Sequence, residues 1–309
     1  MTCCPTRPDA DKSNDNKTTL PTRVGEKRKS DRVRLSGGSF IMGTSDKILP
    51  DDGERPERKS KVGPFEVDVE TVTNARFAEF VNSTGYTTEA EDFGWSFVFH
   101  HFVENPETHD AVQGTPWWRV IHGAFWAAPE GPDSHIDDRL DHPAVHLSWH
   151  DAKQFALWAG GRLPTEAEWE FAARGGLERK RYPWGDEHPD DSKFMPCNIW
   201  QGDFPRSNTA ADGYRGTAPA RSFEPNGYGL YNMVGNVWEW TEDVFRIRSM
   251  RRGARQKMDE LKDQPSKVIK GGSYLCHDSY CFRYRIAARS HNTPDSATGH
   301  MGFRLVYDV

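Results

Sequence analysis

Cys276 and Cys281 stand five residues apart in GGSYLCHDSYCFRYR, residues 271–285. On a regular strand an odd spacing sends two side chains to opposite faces, and on a helix it separates them by about 140°. Only a turn brings the sulfurs together, and His277, Asp278, Ser279 and Tyr280 between them are residue types that suit one. Three readings compete. Two unrelated cysteines can simply be buried in a core. They can form a disulfide. Or two thiolates can hold a soft metal ion, for which Cu(I) is a better match than zinc, which takes four ligands. Arg283, Arg285 and Arg289 follow closely and would favour thiolates electrostatically. The spacing alone leaves all three readings open.

Oxygen donors form two further sets. Asn198 with Asp212, and Asn232 with Glu239, offer the amide and carboxylate oxygens that Ca²⁺ gathers in groups of about six to eight. The same stretches also read as ordinary Asn- and Gly-rich turns. The 12 histidines are scattered; His100, His101, His142 and His146 lack the spacing of a metal-binding helix. Glu166, Glu168 and Glu170 mark a helix start rather than an acid pair. No GxSxG elbow and no phosphate-binding loop occurs.

The elements that must position these groups are sparse. Hydrophobic residues make up 36% of the 309 and charged residues 28%, a globular balance. The net charge of -6 gives nucleic-acid binding no support. No apolar run is long enough to cross a bilayer, and the N-terminus lacks the apolar stretch of a signal peptide, so a cytoplasmic location is expected, with no membrane partner. The five cysteines, an odd number, do not suggest a disulfide scaffold. Residues 1–30 are polar and predict a disordered tail in which Cys3 and Cys4 are exposed thiols without a role. Residues 31–309 form the folded domain. VRLSGGSFIMG predicts two short strands around a Gly-Gly turn, and PFEVDVETVT another strand. Thr73 caps a helix with Phe77, Phe80 and Val81 inward, ending at Gly85. Ser148 with Asp151 caps one with Ala152, Phe155 and Ala159 inward, and Thr165 with Glu168 caps one carrying Trp169, Ala172 and Ala173, ending at Gly175. Beyond Gly176 periodicity fades, yet the 11 Trp and 27 Gly of the chain require packed, braced loops, for which bound metal ions are a common brace. Residues 246–262 are basic and predict a solvated helical insertion.

GGSYLCHDSYCFRYRIAARSHNTPDS with GFR at 302–304, GRLPTEAEWEFAARGG (161–176), NIWQGDFPRSNTAADGY (198–214), NGYGLYNMVGNVWEW (226–240) and HPAVHLSW (142–149) together resemble the formylglycine-generating enzyme family, also called sulfatase-modifying factors. SFVFH (96–100) and PWW (116–118) resemble it too. The resemblance runs from Arg32 to the C-terminus. LPTEAEWE and GNVWEW are shared with wider relatives of the fold, including non-enzymes; the two cysteines in SYLCHDSYC are particular to the cysteine-oxidising members.

The resemblance implies a single α+β domain of little regular structure, related to C-type lectins, with bound calcium. It implies an oxidase that uses O2 and Cu(I) to convert the cysteine of a Cys-x-Pro-x-Arg segment in an unfolded sulfatase polypeptide to formylglycine; a monomer is expected. Cys276 and Cys281 become the copper ligands, Ser273 an active-site serine, Trp238 part of a tryptophan-rich wall, and Arg289 and Asn292 the lining of the peptide groove. One calcium site takes Asn198, Asp212 and the carbonyls of Ile199 and Tyr214; a second takes Asn232, Glu239 and the carbonyls of Gly235 and Val237. Vertebrate members carry extra disulfide-forming cysteines, where this chain has Ile286 at one position. The alternatives are a binding or regulatory protein on the same fold, whose representatives generally lack both cysteines, and an iron-dependent sulfoxide synthase, which needs a preceding histidine-rich helical domain.

Overall fold

Two residues at each turn decide where the first strands go. A computed structural model describes residues 4–7, 30–247, 252, 256, 258, 259, 261, 262 and 265–309. Strand β1 (Arg32–Leu35) and β2 (Gly38–Met42) flank Ser36 and Gly37 but do not pair with each other. Gly37 has φ +69°, and a Cβ there would sit 2.3 Å from the Gly63 carbonyl oxygen, so the turn closes only on glycine. β2 pairs instead with β3 (Arg58–Val62), and β1 with β4 (Phe65–Asp68).

The foreseen helices form with the foreseen caps. The Thr73 side chain accepts from the Arg76 N–H ahead of α1 (Asn74–Thr84), which ends at Gly85 in the left-handed region. After it comes a short helix that the sequence reading did not separate out, α2 (Glu89–Phe93), with a Thr88/Glu91 capping box. Then follow β5 (Trp95–Phe99), β6 (Ala111–Val112) and β7 (Thr115–His122), joined as one antiparallel sheet in the order β5-β7-β6. Capping boxes at Ser148/Asp151 and Thr165/Glu168 open α3 (Trp149–Ala159) and α4 (Glu166–Arg174). The buried face of α3 is Ala152, Phe155 and Ala156, with Ala159 only half-buried, because the stripe drifts by one turn toward Ala156.

From Gly175 to Val237 the described residues form no helix or ladder strand. Regular structure resumes in β8 (Trp238–Val244), β9 (Lys267–Lys270), β10 (Ser290–Asn292) and β11 (Met301–Gly302), ordered β10-β9-β8-β11. The last strand, β12 (Val306–Asp308), returns to β4 and closes the sheet β1-β4-β12, so both ends of the domain meet in one sheet. Mixed helix and sheet, packed on a large aromatic-rich core with smaller clusters beside it, is the α+β single domain expected. Much of residues 246–262 lies outside the described residues. The described positions 252, 256, 258 and 259 are helical, and Met258 and Leu261 pack on Phe245, Ile247 and Val268.

Buried charges tie the loops together. Arg304 donates to both oxygens of Glu239 at 2.7 Å, Arg285 to Glu54 at 2.7 Å, and Glu170 lies between Arg174 at 2.7 Å and Lys270 at 3.3 Å. A buried charge is tolerable only with such a partner.

Candidate active site

The loop after β9 folds back on itself. Gly272 has φ +74°, and a Cβ there would stand 3.0 Å from the Tyr284 nitrogen, so glycine admits the return chain. The Ser273 carbonyl accepts from the Cys276 N–H at 2.9 Å, and the His277 carbonyl accepts from Tyr280 and Cys281 at 3.1 and 2.7 Å. The turn expected through 277–280 is therefore formed. It sets the Cys276 and Cys281 Sγ atoms 2.9 Å apart, both fully buried and not disulfide-bonded.

Burial pushes the Cys276 thiol well above its ordinary pKa, and the neighbouring Cys281 pushes it further. Opposing them are the Ser273 N–H, 3.4 Å from the Cys276 Sγ, and the Arg283 guanidinium. Of the three arginines read as thiolate-stabilising, only Arg283 reaches the pair, with Nη1 at 3.7 Å from the Cys281 Sγ. Arg285 is turned to Glu54, and Arg289 to Glu166 at 2.9 Å, so carboxylates outcompete the sulfurs for them.

Ser273 and Trp238 join the two thiols in one narrow pocket, together with Trp117, Phe204, Tyr280 and His300. Phe204 stacks on Tyr280 at 4.1 Å and 8°, and Trp117 meets Tyr280 edge-on at 5.0 Å, making an aromatic roof. Sequence spacing gave no sign of Phe204, His300 or of the Asp52 that holds Arg283, and it marks Tyr280 only as a turn residue; only the density of aromatics in these loops hinted at a roof. Arg289 and Asn292 do not line this pocket. Arg289 borders a separate cleft with Arg55, Glu166, Asp243 and Arg246. Asn292 is buried and donates its Nδ2 to the Pro5 carbonyl at 3.0 Å. That contact corrects the picture of residues 1–30: Cys4 is 1% exposed and Arg7 3%, so residues 4–7 pack into the domain because Arg7 finds aromatic and carbonyl partners there. Cys3 and residues 8–29 lie outside the described residues.

The two oxygen sets are partly unsatisfied. Asn198 Oδ1 and Asn232 Oδ1 are buried without a hydrogen-bond partner, a state that costs about 1–3 kcal/mol per group unless something else is bound. Next to Asn198, the Gln201 Nε2 donates to the Ile199 carbonyl at 2.6 Å and to an Asp212 oxygen at 3.0 Å, so these two oxygens meet at that amide. Burial raises the Asp212 pKa, opposed by the Tyr214 N–H and Gln201. The two sets abut: Gly235, at φ +76°, would place a Cβ 2.5 Å from the Asn198 carbonyl oxygen. Val237 is buried beside them. Glu239 differs from expectation in that Arg304 and the Trp169 Nε1 already engage its carboxylate, leaving less free charge for a cation. Among the described residues no three His, Cys, Asp or Glu side chains form a metal-binding group, so either site would depend on amide and main-chain oxygens.

Residues 17–309 match the sulfatase-modifying factor enzyme 1-like domain. The chain is 50% identical over 295 residues to the formylglycine-generating enzyme of Thermomonospora curvata, covering 94% of this chain and 97% of that one. It is 44% identical over 291 residues to the inactive C-alpha-formylglycine-generating enzyme 2 of Bos taurus, covering 91% and 89%. The solved structure of PvdO from Pseudomonas aeruginosa has the same fold, with a TM-score of 0.61 at 23% identity over 94% of this chain and 100% of that one.

Proposed function

The chain belongs to the sulfatase-modifying factor enzyme 1-like family, and from that premise we propose that it oxidises the cysteine of a Cys-x-Pro-x-Arg segment in an unfolded sulfatase polypeptide to Cα-formylglycine, using O2 and a Cu(I) ion held by Cys276 and Cys281. The observation that carries the reading is the buried thiol pair, 2.9 Å apart, under an aromatic roof. It also separates the reading from its alternative, a non-catalytic protein on the same fold, which has no need of two adjacent thiols.

The residues fit a soft cation. Two thiols side by side in an apolar pocket resist losing both protons, and a soft metal compensates the charge that burial disfavours. When bound, Cu(I) supplies the one-electron chemistry by which O2 is activated. The chain supplies the rest. The Ser273 N–H and the Arg283 guanidinium face the sulfurs and stabilise negative charge on them. Asp52 fixes Arg283 through Nε at 2.6 Å and Nη2 at 3.2 Å. Trp117, Phe204, Tyr280 and Trp238 keep water from the sulfurs. Ser273 stands beside the thiols to meet oxygen or the substrate cysteine, and Asn292 offers its amide to a peptide carbonyl. Loss of two electrons and two protons from the substrate CH2–SH gives a thioaldehyde, and its hydrolysis gives the aldehyde and hydrogen sulfide. Ca²⁺ at the Asn198/Ile199/Asp212/Tyr214 and Asn232/Gly235/Val237/Glu239 sets would brace the loops under Trp238.

The test is mass spectrometry of a Cys-x-Pro-x-Arg peptide incubated with the protein, Cu(I) and O2. Conversion replaces sulfur by oxygen and removes two hydrogens. An unchanged peptide, with the protein shown folded and loaded with copper, removes the assignment.

A further inference from the structure

Residues 4–7 start behind one wall residue of the thiol pocket and lead away from it. The Cys4 Sγ is 3.3 Å from Nε2 of His300, which itself lines that pocket. The Pro5 carbonyl accepts from Asn292, and the Arg7 N–H donates to the Ser296 Oγ at 3.0 Å. The Arg7 guanidinium then enters a box. Its carbon lies 3.8 Å from the Phe93 ring centre and 4.8 Å from that of Trp95. Its Nη2 donates to the Trp95 carbonyl at 3.0 Å and its Nη1 to the Glu89 carbonyl at 3.5 Å. Burial lowers the Arg7 pKa to about 10, with the Glu89, Asp295 and Asp151 carboxylates opposing, so the side chain is charged at neutral pH. Stacking, main-chain acceptors and nearby carboxylates are what a planar cation selects.

The segment reads Cys3-Cys4-Pro5-Thr6-Arg7, which is itself a Cys-x-Pro-x-Arg spacing. We infer that the chain's own N-terminal segment occupies the arginine box and the Asn292 contact of its peptide cleft, and competes there with the substrate polypeptide. What it competes with rests on the function proposed above. Cys4 packs into the hydrophobic core, while Arg7 is held as a cation on aromatic faces; the Arg7 Nε is buried without a partner, so the box is filled by a group that it does not wholly satisfy. Because the competitor is covalently attached, an outside peptide works against a local concentration on the order of millimolar.

The experiment uses a fluorescent Ser-x-Pro-x-Arg peptide, with serine replacing the reactive cysteine, and reads its binding by anisotropy to the full chain and to full-length Arg7→Ala. If the segment leaves the cleft open about a tenth of the time, Arg7→Ala binds the probe roughly tenfold more tightly. Equal affinity in the two proteins overturns the inference. Should Arg7→Ala fail to fold, an unlabelled peptide of residues 1–9 decides: displacing the probe from the wild type supports the inference, and failure to displace it in large excess overturns it. The probe cannot be oxidised, so the outcome is separate from the oxidase reading. A binding shift without peptide oxidation keeps this inference and removes that reading; oxidation without a shift does the reverse.

Discussion

Arg283 holds its Nη1 3.7 Å from the Cys281 Sγ while Asp52, 231 residues earlier in the chain, grips its Nε at 2.6 Å. Both partners are almost wholly buried. The guanidinium thus has its charge balanced by one residue and its direction set toward another.

Asp52→Asn leaves that guanidinium buried without a counter-charge, and stability should fall by about 3–5 kcal/mol. Urea unfolding of wild type and Asp52→Asn measures this directly. Arg283→Met in the Asp52→Asn background removes the orphaned charge and should recover part of the loss; no recovery would mean that the pair does not act as a unit.

Cys276→Ser and Cys281→Ser each exchange a soft ligand for a hard neutral hydroxyl. Each should lose copper-dependent turnover, while stability stays within about 2 kcal/mol because no disulfide is broken. Ser273→Ala keeps both thiols and should retain Cu(I) in a competition titration while turning over more slowly. Full activity in either cysteine variant would show that the pair is not the catalytic centre.

Chelation should lower the melting temperature if the buried oxygens of Asn198 and Asn232 are satisfied by Ca²⁺, since an ion that binds only the folded state stabilises it. Asp212→Ala should blunt the response. An identical melting curve in strong chelator, with no calcium found by elemental analysis, would exclude both sites.

His146 should make the fold acid-sensitive. It is 1% exposed, accepts or donates at the Ser96 Oγ at 2.8 Å, and burial lowers its pKa to about 3. Between that value and the ordinary histidine pKa of about 6.5, the unfolded chain takes up a proton that the folded chain refuses. Stability should therefore fall as pH drops through this window and be unaffected by His146 above it. His146→Asn, which tolerates the residue's φ of +58°, should flatten that part of a melting-temperature profile; an unchanged slope would assign the acid sensitivity elsewhere.

Local rules were legible in the sequence. Thr73, Ser148 and Thr165 announced three helices because a cap and its partner lie within one turn of each other, and a Cβ-free residue at Gly85 or Gly175 ends a helix whatever surrounds it. The turn at 277–280 was legible for the same reason. Family likeness pointed to Ser273 and Trp238, which no periodicity marks. Tertiary structure alone decided the rest. Asp52 meets Arg283, and Cys4 meets His300 across 296 residues, and nothing local distinguishes one buried carboxylate or cysteine from another. It also overrode composition at the N-terminus, where a polar stretch contains one arginine whose charge finds two aromatic faces and two carbonyls. Short-range geometry is written in neighbouring residues, whereas a salt bridge, a pocket wall or a docked strand depends on surfaces that exist only once distant loops have packed.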